Sequence, residues 1–142
     1  MLIRKAQPGR VFVGRLTKEG DLLISLTEIC RRKKVDHGEL WAIGALVRAR
    51  VAYYDQSRRQ YRTVDIDTPC EIVSLVGNVS LKDGGPFVHA HLAVADADGH
   101  MRGGHLVEGC VVFAGEYVIQ ELKVRDPLER THDESTGLAL WR

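Results

Sequence analysis

From Trp41 to Leu122 one strand-like segment follows another, parted only by short turn signals. No other feature restricts the fold as much, because strands joined by short turns pair antiparallel. Trp41 to Tyr54 reads as one long strand with Gly44 inside it, which marks a bulge or a close backbone approach. Asp55 to Ser57 turns the chain, and Arg59 to Ile66 alternates polar and apolar as a half-exposed strand does. Pro69 punctuates, Glu71 to Ser80 is a mostly apolar strand, and Lys82 to Pro86 reads as a loop. Phe87 to Ala95, Met101 to Leu106 and Gly109 to Leu122 complete the run before Asp126-Pro127.

Upstream, Arg10 to Leu16 is a further strand and Thr17 to Gly20 a turn. Asp21 is a helix cap, its carboxylate placed to accept from the free amides of a first turn. Leu22, Ile24, Leu26, Ile29, Cys30 and Val35 recur at helical spacing, so a helix runs to about Lys34. It closes on Arg31, Arg32, Lys33 and Lys34, whose charges complement the helix dipole. The polar segment from about 126 to 142 holds Leu138, Leu140 and Trp141 as candidates for a short terminal strand. The expectation is one α+β domain over residues 1–142, with a largely antiparallel sheet of about seven or eight strands and one main helix.

A formal charge of +1 is far from the balance of a protein that lives on phosphate backbones. Any nucleic-acid contact must come from a local patch. The candidates are Arg31 to Lys34, namely Arg31, Arg32, Lys33 and Lys34, and a second group of Arg48, Arg50, Arg58, Arg59 and Arg62. Cys30, Cys70 and Cys110 are odd in number, widely spaced and without C-x-x-C, which fits buried thiols in a reducing cytoplasm. No apolar run reaches signal-peptide or membrane-span proportions, so the expected location is cytoplasmic, with no membrane partner.

Four of the six histidines fall between His89 and His105. His89 and His91 are two apart on a strand and share a face. If Ala97-Asp98-Gly99 forms a three-residue turn with Gly99 left-handed, Asp96 faces His100 and His91 faces His105. A two-residue turn at Asp98-Gly99 would throw His105 to the other face, unless a bulge at Gly103-Gly104 brings it back. Three converging imidazoles suit zinc or another divalent metal, with the fourth position left to water or a ligand. A plain polar stripe accounts for the same spacing. His100 is expected in solvent, and His37 and His132 in loops.

No nucleophile elbow, phosphate loop or dinucleotide fingerprint occurs, so catalytic residues are unknown and enzymatic activity stays open. Glu108 and Glu116 are the nearest acidic candidates for a general base.

Several stretches together resemble the PPC domain, the plants and prokaryotes conserved domain. They are Cys70 to Ser80, Pro86-Phe-Val-His-Ala-His91, Asp98-Gly99, and Gly103-Gly-His-Leu-Val-Glu-Gly109 with Glu116 downstream. The resemblance implies an α+β fold, a homotrimer, and a metal at the cluster matching His89, His91 and His105. It also implies an assembly or regulatory module with a DNA-binding association, since plant members carry AT-hooks beside the domain. This chain has no Arg-Gly-Arg-Pro segment, and Thr68-Pro-Cys-Glu-Ile-Val73 stands where plant members have Gly-Arg-Phe-Glu-Ile-Leu. A metal-dependent enzyme or a small-molecule-binding protein using the same histidines is the alternative.

Overall fold

The computed structural model describes all residues 1–142. In chain order the elements are β1 (Ala6–Arg15), α1 (Leu22–Lys33), β2 (Gly38–Asp55), β3 (Gln60–Ile66), β4 (Cys70–Lys82), β5 (Gly85–Ala95), β6 (Met101–Leu106), β7 (Val111–Val124), β8 (Arg130–Asp133) and β9 (Leu138–Trp141). Seven strands make one antiparallel sheet in the order β1-β7-β2-β4-β5-β6, with β3 added to β2. The other two, β8 and β9, form a separate antiparallel hairpin. The α+β expectation holds. The terminal strand expected at Leu138 to Trp141 is present, and its partner β8 is an element the polar tail did not announce.

The long strand β2 organises the sheet. Its first half lies between β7 and β4, and its second half between β3 and β6. The partners change between Leu46 and Ala49, while the β2–β4 register shifts earlier, between Ala42 and Gly44. Gly44 has φ +137, and a Cβ there would press into the Ala114 carbonyl and the Gly115 Cα. Both expected roles of this glycine are therefore met at once. Through Val51↔Leu106 and Ala52↔His105, β2 closes the path β2-β4-β5-β6 upon itself.

The helix is capped as its sequence predicts. Asp21 Oδ1 accepts from the Ile24 amide at 3.0 Å, and Oδ2 accepts from the Gly109 amide at 2.7 Å. One carboxylate thus starts the helix and fixes the turn between β6 and β7. The helix ends where Lys34 enters the left-handed region at φ +53. Leu22, Leu26 and Cys30, one turn apart, are fully buried in one cluster with Val88, Ala90, Leu92 and Val94 of β5. Each leucine or valine among them contributes about 1.5–3 kcal/mol of burial free energy. Burial pushes the Cys30 and Cys110 thiols up to about 11, so both are inert at neutral pH. No helix is long and apolar enough to cross a membrane.

One expected loop is much tighter than anticipated. The turn after β4 is confined to Asp83-Gly84, with Asp83 at φ +50 and Gly84 at φ +78, and Pro86 already lies in β5. Pro86 can sit there because pairing with Leu81 does not require its missing amide hydrogen.

Candidate metal centre

Alternation along β5 sends Val88, Ala90 and Leu92 into the core and His89 and His91 out of the opposite face. The turn after β5 decides where His105 goes. The Gly99 amide donates to the Asp96 carbonyl at 3.0 Å, the Asp96 amide donates to the His100 carbonyl at 3.2 Å, and Gly99 is left-handed at φ +78. This is the three-residue turn with a glycine, and its register sets His91 directly opposite His105. No bulge at Gly103-Gly104 is needed.

The imidazoles converge. Ring centroids are 5.4 Å apart for His89–His91, 5.0 Å for His89–His105 and 5.7 Å for His91–His105. One nitrogen from each ring lies within 4.8 Å of the others. In a tetrahedral zinc site with Zn–N near 2.05 Å the nitrogens sit about 3.3 Å apart, so small ring rotations complete the set. The ring nitrogens of His91 and His105 have no hydrogen-bond partner within the protein. Burial, then the Arg130 charge, then His105 and His91, hold the His89 imidazolium down to about 4. His105 is lowered too, by burial, then His91, then Arg130. Neutral imidazole is the ligating form, so the donor set fits a borderline divalent cation.

Cross-strand register extends this face beyond the histidines. Val13 of β1 opposes Val118 of β7, Val118 opposes Trp41 of β2, Trp41 opposes Val76 of β4, and Val76 opposes His91. One row therefore runs from an apolar stripe into the histidine pair. Its large apolar members are uncovered, with Val13 73%, Val76 62% and Trp41 43% exposed.

The β8–β9 hairpin forms one wall of a cleft over the histidines, with a volume of about 600 Å³. His37, assigned no role from the sequence, helps seat this segment: its Nε2 accepts from the Leu128 amide at 2.9 Å. At the far end, the Tyr54 hydroxyl donates to the Thr136 carbonyl at 2.7 Å, and Arg59 donates to the Glu134 and Ser135 carbonyls. Between them lies Arg130, only 8% exposed. It donates to Ser80 Oγ at 2.9 Å, the Ala139 carbonyl at 3.0 Å, Asn78 Oδ1 at 2.9 Å and His89 Nδ1 at 3.2 Å. Phe87 and Trp141 lie against the guanidinium. Sequence reasoning missed this residue, because it lies in a tail without periodicity.

Other candidates are placed elsewhere. Neither Glu108 nor Glu116 lines the histidine cleft. His100 is exposed in its turn, where the backbone amides of Asp98 and His100 donate to Asp96 Oδ1, and His132 is exposed on β8. Of the basic residues, Arg31 and Arg32 are paired with Glu28, and Arg50 with Asp65. Arg59 is turned to the hairpin carbonyls, Lys33 lies against Phe12 and Arg62 against Tyr53. Lys34, Arg48 and Arg58 are exposed without an acidic partner.

Comparison with known proteins agrees with this architecture. A family model described as the Plants and Prokaryotes Conserved (PCC) domain matches residues 3–123. A metal-containing protein from Archaeoglobus fulgidus is similar in structure with a TM-score of 0.95 at 38% identity, over 100% of this chain and 99% of that one. A plant- and prokaryote-conserved (PPC) protein from Pyrococcus horikoshii gives 0.93 at 35% identity, over 100% and 97%. Among curated proteins, the bifunctional protein GlmU of Synechococcus sp. (strain JA-3-3Ab) is 35% identical over 133 residues, 90% of this chain and 20% of that protein. The chain spans about a fifth of the length of the curated relatives it matches.

Proposed function

The chain belongs to the Plants and Prokaryotes Conserved (PCC) domain family, and we propose that it is a metal-binding module in which His89, His91 and His105 hold one divalent ion, zinc by preference. The observation that carries this is the pairing of His91 with His105, which brings three ring nitrogens to one point on a rigid sheet. The neutral state of His89 supports it, as does the likeness to a metal-containing protein of Archaeoglobus fulgidus. A bound ion with three imidazole ligands supplies an open coordination position for a Lewis-acid role or for ligand capture. This chain's own residues shape that position: β5 and β6 set the ligands, and the β8–β9 hairpin limits access.

The assembly we propose is a homotrimer built on the apolar stripe of Val13, Trp41 and Val76. Apolar side chains so exposed, and aligned across neighbouring strands, are expected at a contact between subunits. The same unit makes up about a fifth of GlmU from Synechococcus, which suits a module that works beside other domains. The charge pattern favours this reading over duplex binding, because acidic neighbours already hold Arg31, Arg32 and Arg50.

Metal analysis of the untagged protein tests the site. The expected content is one ion per chain, falling to background in His91→Ala and in His105→Ala but retained in His100→Ala. Unchanged metal in both of the first two variants would remove the proposal.

A further inference from the structure

The cleft over the histidines has an unusual charge composition. Lys82 and Arg130 line it, together with Tyr54 and Tyr61, and no Asp or Glu does. Arg130 is buried, yet every acceptor it meets is neutral: a hydroxyl, an amide oxygen, a carbonyl and an imidazole. A buried cation without a counter-charge is costly unless something anionic offsets it. A divalent ion on three neutral imidazoles would bring the cleft to four positive charges, counting Lys82 and Arg130.

The hydrogen bonds sharpen this. A guanidinium only donates, so His89 Nδ1 presents its lone pair to Arg130. A neutral imidazole has one such lone pair. Once it goes to a metal, whether through Nδ1 directly or through Nε2 with the proton moved to Nδ1, none is left for Arg130. Metal binding therefore orphans one N–H of a buried guanidinium beside the ion. A second N–H, on Nη1, has no acceptor in the protein to begin with.

We propose that this cleft binds a small oxyanion, a carboxylate or a phosphate, held jointly by the ion at His89, His91 and His105 and by Arg130. The proposal rests on the metal reading above and adds the ligand class. Planar guanidinium and oxyanion match as a fork, and charge-assisted bonds of that kind are strong. Metal and anion then bind cooperatively, since each supplies what the other leaves unsatisfied.

Calorimetric titration of the full chain with acetate and with inorganic phosphate, in zinc-loaded and metal-stripped forms, tests it. The zinc-loaded protein is expected to bind one of the two anions at one site per chain, about tenfold or more tighter than the stripped protein. The arm that responds identifies carboxylate or phosphate. R130Q should keep its zinc and lose that gain, while R130K, with the charge but not the fork, keeps part of it. Should R130Q fail to fold, K82Q serves as the second variant, with an expected weakening of several-fold. Equal anion affinity with and without zinc, or wild-type affinity in zinc-loaded R130Q, overturns the proposal. Failure of the wild-type chain to take up zinc overturns the metal reading instead, and it shows before any anion is added.

Discussion

Gly44→Ala is expected to weaken the whole sheet, because Gly44 lies where the central strand β2 approaches the β7 backbone most closely. Two effects add. At φ +137 an L side chain sits in a region that costs about 1–3 kcal/mol. The new Cβ also meets the Ala114 carbonyl and the Gly115 Cα, and neither is the end of a flexible side chain. Backbone must move to admit it, for a further cost of about 1–3 kcal/mol. Reduced freedom of the unfolded chain returns roughly 0.4–1 kcal/mol. The net loss is about 3 kcal/mol, or roughly 6–12 °C in Tm for a domain of this size. Urea denaturation followed by tryptophan fluorescence measures it. Gly84→Ala is the control: Gly84 is also left-handed, at φ +78, but a Cβ there would meet nothing within 4 Å. It should lose about 1 kcal/mol. A Gly44→Ala loss no larger than the Gly84→Ala loss would refute the reasoning, since the close approach to β7 would then carry no weight.

Two further outcomes follow from the histidine face and the stripe beside it. In metal-stripped protein the folded state holds His89 well below the ordinary imidazole range, at about 4, so the unfolded chain binds the proton more readily. Stability is therefore complete above about pH 6.5 and declines toward pH 4, by about 1–2 kcal/mol after allowing for solvent at a half-buried ring. Nitrogen NMR of the imidazoles decides this, and a His89 midpoint near 6.5 would contradict it. Val13→Asp places a carboxylate in the uncovered apolar row and should shift the proposed trimer to monomer in light scattering, with the circular dichroism unchanged. Trimer of undiminished stability would show that subunits meet elsewhere.

Much of the site was legible in the sequence because it depends on local rules. Ala97-Asp98-Gly99 can form only a few turns; Gly99 suits both the two-residue and the three-residue one, and it is the three-residue turn that forms and puts His91 against His105. Asp21 capped its helix for equally local reasons. What could not be read depends on contacts distant in sequence. Arg130 lies in a polar segment without periodicity, and its position follows from Leu128 reaching His37, 91 residues away. The double pairing of β2 was hidden in the same way, since Gly44 announces an irregularity without naming the strands on either side. The strand containing Val13 reads as β-patterned whether its outer side chains meet the core or another subunit. Pattern reports apolarity and not what covers it.

The hairpin carrying Arg130 begins beyond residue 123, where the match to the family model stops. The three histidines and the guanidinium thus lie on different elements: the sheet carries the rings proposed to hold an ion, and the hairpin carries the group proposed to select what that ion meets. Exchanging residues 128–142 for a hairpin of other chemistry should retune anion selectivity and, among the three rings, alter His89 first, since Arg130 is the hairpin's hydrogen bond to them. On the proposed reading, a scaffold of this design could change the ligand it takes by revising one small piece of chain.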